Sequence, residues 1–96
     1  MGILVRGLMI ILSPVSSLMR KRSAELQELG RRIRTARSAL GFSQEELAYE
    51  SHIDRSYIGG VERGERNITF NVLCKIAAAL RCDMAELTKG LPRKPR

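Results

Sequence analysis

A chain of 96 residues with a formal charge of +7 has room for one domain and short tails, with a small core that stands without staples. Aromatic residues are 4% of it and no run alternates as a strand would, so an all-helical domain is expected. Two cysteines, Cys74 and Cys82, and one histidine, His52, are too few ligands for a zinc site, and the cysteines read as reduced and buried.

The charge is unevenly placed. Arg6, Arg20, Lys21 and Arg22 lie in residues 1–22, and Lys89, Arg93, Lys94 and Arg96 in residues 89–96. Between them, nine basic residues face ten acidic ones. An anionic partner therefore has to be argued from arginines clustered within the domain, and net charge contributes little to that argument.

Residues 1–22 form an apolar and basic N-terminal extension. Gly2 to Leu12 is apolar apart from Arg6, and Ser13-Pro14 interrupts it before Met19-Arg20-Lys21-Arg22. The run is too short to span a bilayer, which takes roughly 20 residues. Its basic cluster follows the apolar stretch, the reverse of a secretory signal, so no membrane partner is expected. Three readings stay open: a start assigned too early, with Met19 as the first residue; a disordered or loosely packed tail; or an arm packing on a dimer partner or on the domain.

From Ser23 the pattern turns helical. Leu26, Leu29, Ile33, Ala36 and Leu40 recur at alternating spacings of three and four, Ser23 caps the helix, and Gly41 ends it left-handed. Arg31, Arg32 and Arg34 read equally well as a solvated face and as a patch against a phosphate backbone.

Ser43 with Glu46 is a capping box, and Leu47 and Ala48 give the second helix an apolar face. Glu50 to Ile53 is a tight turn, with Ile53 plugging the angle and His52 as a surface residue. Asp54 caps a third helix whose Ile58 and Val61 face inward, leaving Arg55, Ser56 and Tyr57 in an exposed first turn. Two helices joined this way are a helix-turn-helix, whose second helix offers its N-terminal side chains to the major groove.

After the loop Glu65 to Ile68, Thr69 caps a fourth helix with Phe70, Leu73, Ile76, Ala77 and Leu80 on one face. Asp83 caps a last turn around Leu87, and Met84 fits core and interface alike. Residues 23–88 are thus one domain, and residues 89–96 a frayed basic tail. No nucleophile–base pair, phosphate loop or carboxylate constellation is present, so an enzyme is not expected, nor any cofactor or metal.

The segment LGFSQEELAYESHIDRSYIGGVERGERNITFNVLCKIAAAL resembles the Cro/C1 repressor-type helix-turn-helix family, XRE, over about residues 25–88. Its markers are Gly41 before the capping box, Gln44-Glu45-Glu46-Leu47-Ala48, Ile58…Glu62…Gly64 and Leu73…Ile76-Ala77…Leu80. Within the family, Asp54-Arg55-Ser56-Tyr57-Ile58 with Arg63, Arg66 and Asn67 looks most like the controller proteins of restriction–modification systems.

The resemblance implies a five-helix, lambda-repressor-like domain acting as a homodimer on palindromic double-stranded DNA; a cytoplasmic location and contact with RNA polymerase are further expectations. It also suggests roles. Gln44 touches phosphate and braces the recognition helix. Arg55 leads base reading, Ser56 bonds base or phosphate, and Tyr57 contacts the DNA backbone. Gly60 marks a close approach to DNA, where relatives often carry a base-reading side chain. Arg63, Arg66 and Asn67 match positions near the phosphates, and Arg37 with Glu62 matches a structural ion pair between the first and third helices. A protein-interaction module, such as an antitoxin whose main partner is another protein, is the competing reading.

Overall fold

A computed structural model of the chain describes residues 23–93. The extension 1–22, with the three readings attached to it, and the last residues of the basic tail lie outside the described residues. Five helices follow in order: α1 (Ala24–Ala39), α2 (Gln44–Ser51), α3 (Arg55–Glu62), α4 (Phe70–Leu80) and α5 (Met84–Thr88). No strand occurs among the described residues.

Side chains with short polar tips start the first four helices, because each can accept from an amide that the helix leaves unpaired. Ser23 Oγ accepts from the Leu26 amide at 3.3 Å and Thr69 Oγ1 from Val72 at 3.2 Å. At α2 the box is reciprocal: the Glu46 amide donates to Ser43 Oγ at 3.0 Å, and the Ser43 amide to Glu46 Oε1 at 2.7 Å. Asp83 stands at the start of α5 but its carboxylate makes no cap bond, so α5 is held by its packing instead.

Four helix ends close alike, on a left-handed residue followed by an amide that bonds back into the last turn. Phe42 donates to Arg37 O at 3.0 Å, Ile53 to Ala48 O at 3.0 Å, Glu65 to Gly60 O at 2.9 Å and Cys82 to Ala77 O at 3.1 Å. Glycine supplies the left-handed residue after α1 and α3, at Gly41 and Gly64. After α2 and α4 it is His52 and Arg81, both at φ +58°, where a Cβ is strained.

The core gathers Leu29 and Ile33 from α1, Leu47 and Ala48 from α2, Ile58 and Val61 from α3, four α4 residues (Leu73, Ile76, Ala77, Leu80) and Leu87 from α5. Ile33, Leu47, Ile58, Ile76 and Leu87 are fully enclosed. Burying each contributes about 1.5–3 kcal/mol. Ile53 packs against this core from the turn, and Met84 does so from α5.

Phe70 departs from the core face expected of it: it is 70% exposed. It is the first residue of α4, and a helical Cβ leans toward the N-terminus, so the ring projects past the end of the core. Cys74 and Cys82 are free thiols, half-buried where full burial was expected. Burial, then the charges of Glu86 and Asp83, push the Cys82 thiol up.

Close contact between α1 and α3 fixes the recognition helix. A Cβ on Gly30 would stand 2.4 Å from Val61 O and 2.5 Å from Glu62 O. Gly64 likewise lies against the Gln27 backbone, with Cα at 2.8 Å from where its Cβ would be. The C-terminal end of α3 thus rests directly on the α1 backbone. Arg32 Nη1 donates to Leu87 O at 3.0 Å, tying α5 to α1, while Arg31 and Arg32 both pair with Glu28. The tail also differs from the frayed expectation as far as Arg93, whose amide donates to Glu25 Oε2 at 3.3 Å.

Candidate nucleic-acid interface

The interface begins with a buried carboxylate. Glu62, the last residue of α3, has a fully enclosed side chain, and Arg37 from α1 is only 14% exposed. Arg37 Nε donates to Glu62 Oε2 at 2.6 Å and Nη2 to Oε1 at 3.0 Å, a bidentate pair. Arg37 Nη1 also donates to Phe42 O at 2.8 Å, so one guanidinium joins α1, α3 and the link before α2.

Gln44 Nε2 donates to Glu62 Oε1 at 3.0 Å, and Arg34 Nε approaches the same oxygen at 3.6 Å. Burial pushes the Glu62 carboxyl up, but the hydrogen bonds from Arg37 and Gln44 and the charges of Arg37 and Arg34 outweigh it. The net pKa is lowered. Gln44 thereby ties the start of α2 to the last residue of α3.

Asp54 fixes the opposite end of α3. Its Oδ2 accepts from the Ser56 amide at 3.0 Å, the Tyr57 amide at 3.3 Å and the Ser56 hydroxyl. Those bonds, the Ser56 hydroxyl first, hold the Asp54 carboxyl below its usual range. With its proton given to Asp54, Ser56 Oγ faces outward as an acceptor.

Arg55 is exposed beside Ser56, with Glu45 at 3.8 Å across an open gap. A pair this long and solvated is worth at most about 1 kcal/mol. Arg63 follows the last turn of α3 and pairs with Glu65 at 3.1 Å. Asn67 is exposed in the loop beyond.

Tyr57 is half-buried against the core, and the Arg66 guanidinium lies 5.1 Å from its ring centroid. Gly60 does not lie bare as its residue type suggested. It is buried, with Arg66 Cγ at 3.0 Å from the position of a Cβ. Gly59, its neighbour, is covered by Arg63 Nη1 at 3.1 Å from the corresponding position.

The structure therefore brings Gln44, Arg55, Ser56, Tyr57, Gly60, Arg63 and Arg66 to α3 and its immediate surroundings. Two residues that shape the site were not singled out from the sequence. Gly30 carried a signal, a glycine inside an amphipathic helix, but its partner lies some thirty residues away at Val61 and Glu62. Arg34 entered only within a trio that read equally as a solvated face and as a phosphate-backbone patch, and it adds a second positive charge near Glu62.

Comparison with known proteins agrees with this geometry. A helix-turn-helix family model matches residues 33–87. The control protein C.SmaI of Serratia marcescens is 42% identical over 59 residues, covering 62% of this chain and 70% of the relative. C.BamHI of Bacillus amyloliquefaciens is 42% identical over 52 residues, covering 53% of this chain and 64% of the relative. Among solved structures, the restriction–modification controller protein C.AhdI from Aeromonas hydrophila superposes with a TM-score of 0.66 at 49% identity, covering 68% of this chain and 98% of that one. C.Esp1396I, crystallised as a tetramer with its natural 35 base-pair operator, gives 0.64 at 37% identity, covering 68% and 86%. A five-helix domain with a capped and braced second helix-turn-helix element, matched over these lengths, belongs to the XRE-type helix-turn-helix family of transcription regulators and is of the restriction–modification controller kind.

Proposed function

We propose that the chain is a sequence-specific regulator that acts as a cytoplasmic homodimer on a near-palindromic operator, with α3 in the major groove. The observation that carries this reading is the first turn of α3. Asp54 and Glu62 pin the two ends of the helix, while Arg55 stands outward with only a long, solvated ion pair to give up. A guanidinium so placed can grip guanine O6 and N7 bidentately, worth about 1–3 kcal/mol of discrimination. Ser56, as an acceptor, suits the exocyclic amine of cytosine or adenine. Gln44, Tyr57, Arg63 and Asn67 fall to the flanks, where phosphate contacts position a protein and make binding salt-dependent.

The relative C.Esp1396I binds its operator as a tetramer, which supports a multimeric form for this chain also. The exposed phenyl ring of Phe70 at the edge of α4 is an apolar group that a second copy would cover. Leu87 and Met84, by contrast, are already packed against the chain's own core. Two α3 helices would then lie ~34–36 Å apart, on half-sites one DNA turn from each other. Contact with RNA polymerase follows where such an operator adjoins a promoter.

Selection of bound duplexes from a random library, by the full-length chain at near-physiological salt, tests the proposal. A recovered palindrome is expected, and Arg55→Ala is expected to lose preference for it over random DNA. Unchanged preference would sink the base-reading role of Arg55. A flat, salt-sensitive profile would sink sequence-specific reading altogether.

A further inference from the structure

Gly60 lies opposite the inward residues of α3, Ile58, Val61 and Glu62, and so belongs to the face turned to solvent. A glycine there ought to leave bare backbone, yet Gly60 is buried. What covers it is the stem of Arg66: a Cβ on Gly60 would meet Arg66 Cγ at 3.0 Å, Nε at 3.1 Å and Cδ at 3.6 Å. The guanidinium continues to the Tyr57 ring, 5.1 Å from its centroid. Tyr57 and Gly60 are three residues apart and therefore neighbours along the helix surface.

We infer that Gly60 and Tyr57 are positioning residues for Arg66. The missing side chain at position 60 is the slot in which the loop arginine lies, and the Tyr57 ring holds its guanidinium beside the middle of α3. The recognition surface is then assembled from two segments: Arg55 and Ser56 from the first turn of the helix, and a cation delivered by the loop. This inference rests on the reading of α3 as the DNA-facing helix. It assigns Gly60 a role other than close approach of backbone to DNA, since the arginine occupies that space. It also calls for a side chain able to stack at position 66. Lysine would keep the charge but lose the planar group that lies on an aromatic face. An arginine held before binding loses less freedom on binding, so the seat should appear as affinity.

A double-mutant cycle on the full chain tests the coupling. The probe is the duplex recovered by library selection, at about 0.15 M salt. Arg66→Ala is expected to weaken binding about tenfold. Gly60→Ala, whose Cβ displaces only a flexible side chain, is expected to weaken it by a similar factor. In the Arg66→Ala background, Gly60→Ala should change affinity by less than about twofold, because independent sites would add. Full additivity overturns the inference.

A second readout needs no DNA. The Arg66 Nε–Hε resonance should be shifted by the Tyr57 ring in the wild-type chain. It should move to the position of a solvated arginine in Tyr57→Leu and Gly60→Ala, with helical circular dichroism confirming that both variants fold. A solvated position in the wild type overturns the seat whatever the DNA result. A ring-shifted resonance in a chain that selects no duplex leaves the seat standing and overturns its use in DNA reading, together with the proposed function.

Discussion

Two pairs of glycines shape the recognition helix, Gly30 and Gly64 on its inner side and Gly59 and Gly60 within it. Gly30 and Gly64 face backbone: the carbonyls of Val61 and Glu62 in one case, the main chain of Gln27 in the other. Gly59 and Gly60 face flexible side chains, the end of Arg63 and the stem of Arg66, which can swing aside. The first pair sets how closely α3 sits on α1, and nothing there can yield without moving a helix. The second leaves space on the outward face for groups arriving from elsewhere in the chain. The inner side of α3 is therefore a fixed mount, and the outer side an adjustable surface.

The largest effect should come from the mount. Glu62→Ala would leave Arg37 buried without its partner, and loss of one member of such a pair costs about 3–5 kcal/mol. Chemical denaturation should show this, and replacing both residues with apolar ones should recover much of it. Next is Gly30→Ala, whose methyl has no room between two carbonyls. Overpacking against backbone should cost about 3 kcal/mol, seen as a lower denaturation midpoint with an unchanged slope.

Acid should act on the same side of the molecule. The hydrogen bonds of Arg31 and then Arg32 hold the Glu28 carboxyl down at about 2, and Glu62 is also lowered from 4.5. Carboxylates depressed in the folded state contribute stability that is fully present above their unfolded value. That stability is lost as pH falls through the folded one. The denaturation midpoint should therefore drop between pH 4.5 and about 2. Glu28→Gln should flatten part of that drop.

Smaller effects sharpen the contrast from the other direction. His52→Gly relieves a left-handed Cβ and should raise stability by roughly 0.5–1 kcal/mol once the looser unfolded chain is counted. Gly60→Ala should leave stability within about 0.5 kcal/mol, since the gain in helix propensity offsets the lost arginine contact. An equal loss for Gly60→Ala and Gly30→Ala would erase the distinction between the two pairs.

How much of this could be read from the chain follows the range of the interaction. Ser43 with Glu46, Asp54 before Arg55 and the spacing of Ile58 and Val61 are local, and local chemistry determines them. The partnership of Arg37 with Glu62 crosses 25 positions and entered only through family resemblance. Gly30 was not legible, because its reason for being glycine lies in carbonyls of another helix. Phe70 misled because helical spacing alone ignores where the core ends. Arg66 was expected near the phosphates, and its place over Gly60 depends on how a loop folds back, which spacing does not encode.

The bond from the Arg93 amide to Glu25 has a topological consequence. It brings residue 93 beside the second residue of α1, so the described fold begins and ends at nearly the same point. A short linker from Arg93 to Ser23 would close residues 23–93 into a ring, and that ring could be reopened at the loop between α4 and α5. The permuted chain would keep α2, the turn and α3 contiguous, so the helix-turn-helix should survive a change in the order in which the helices are joined.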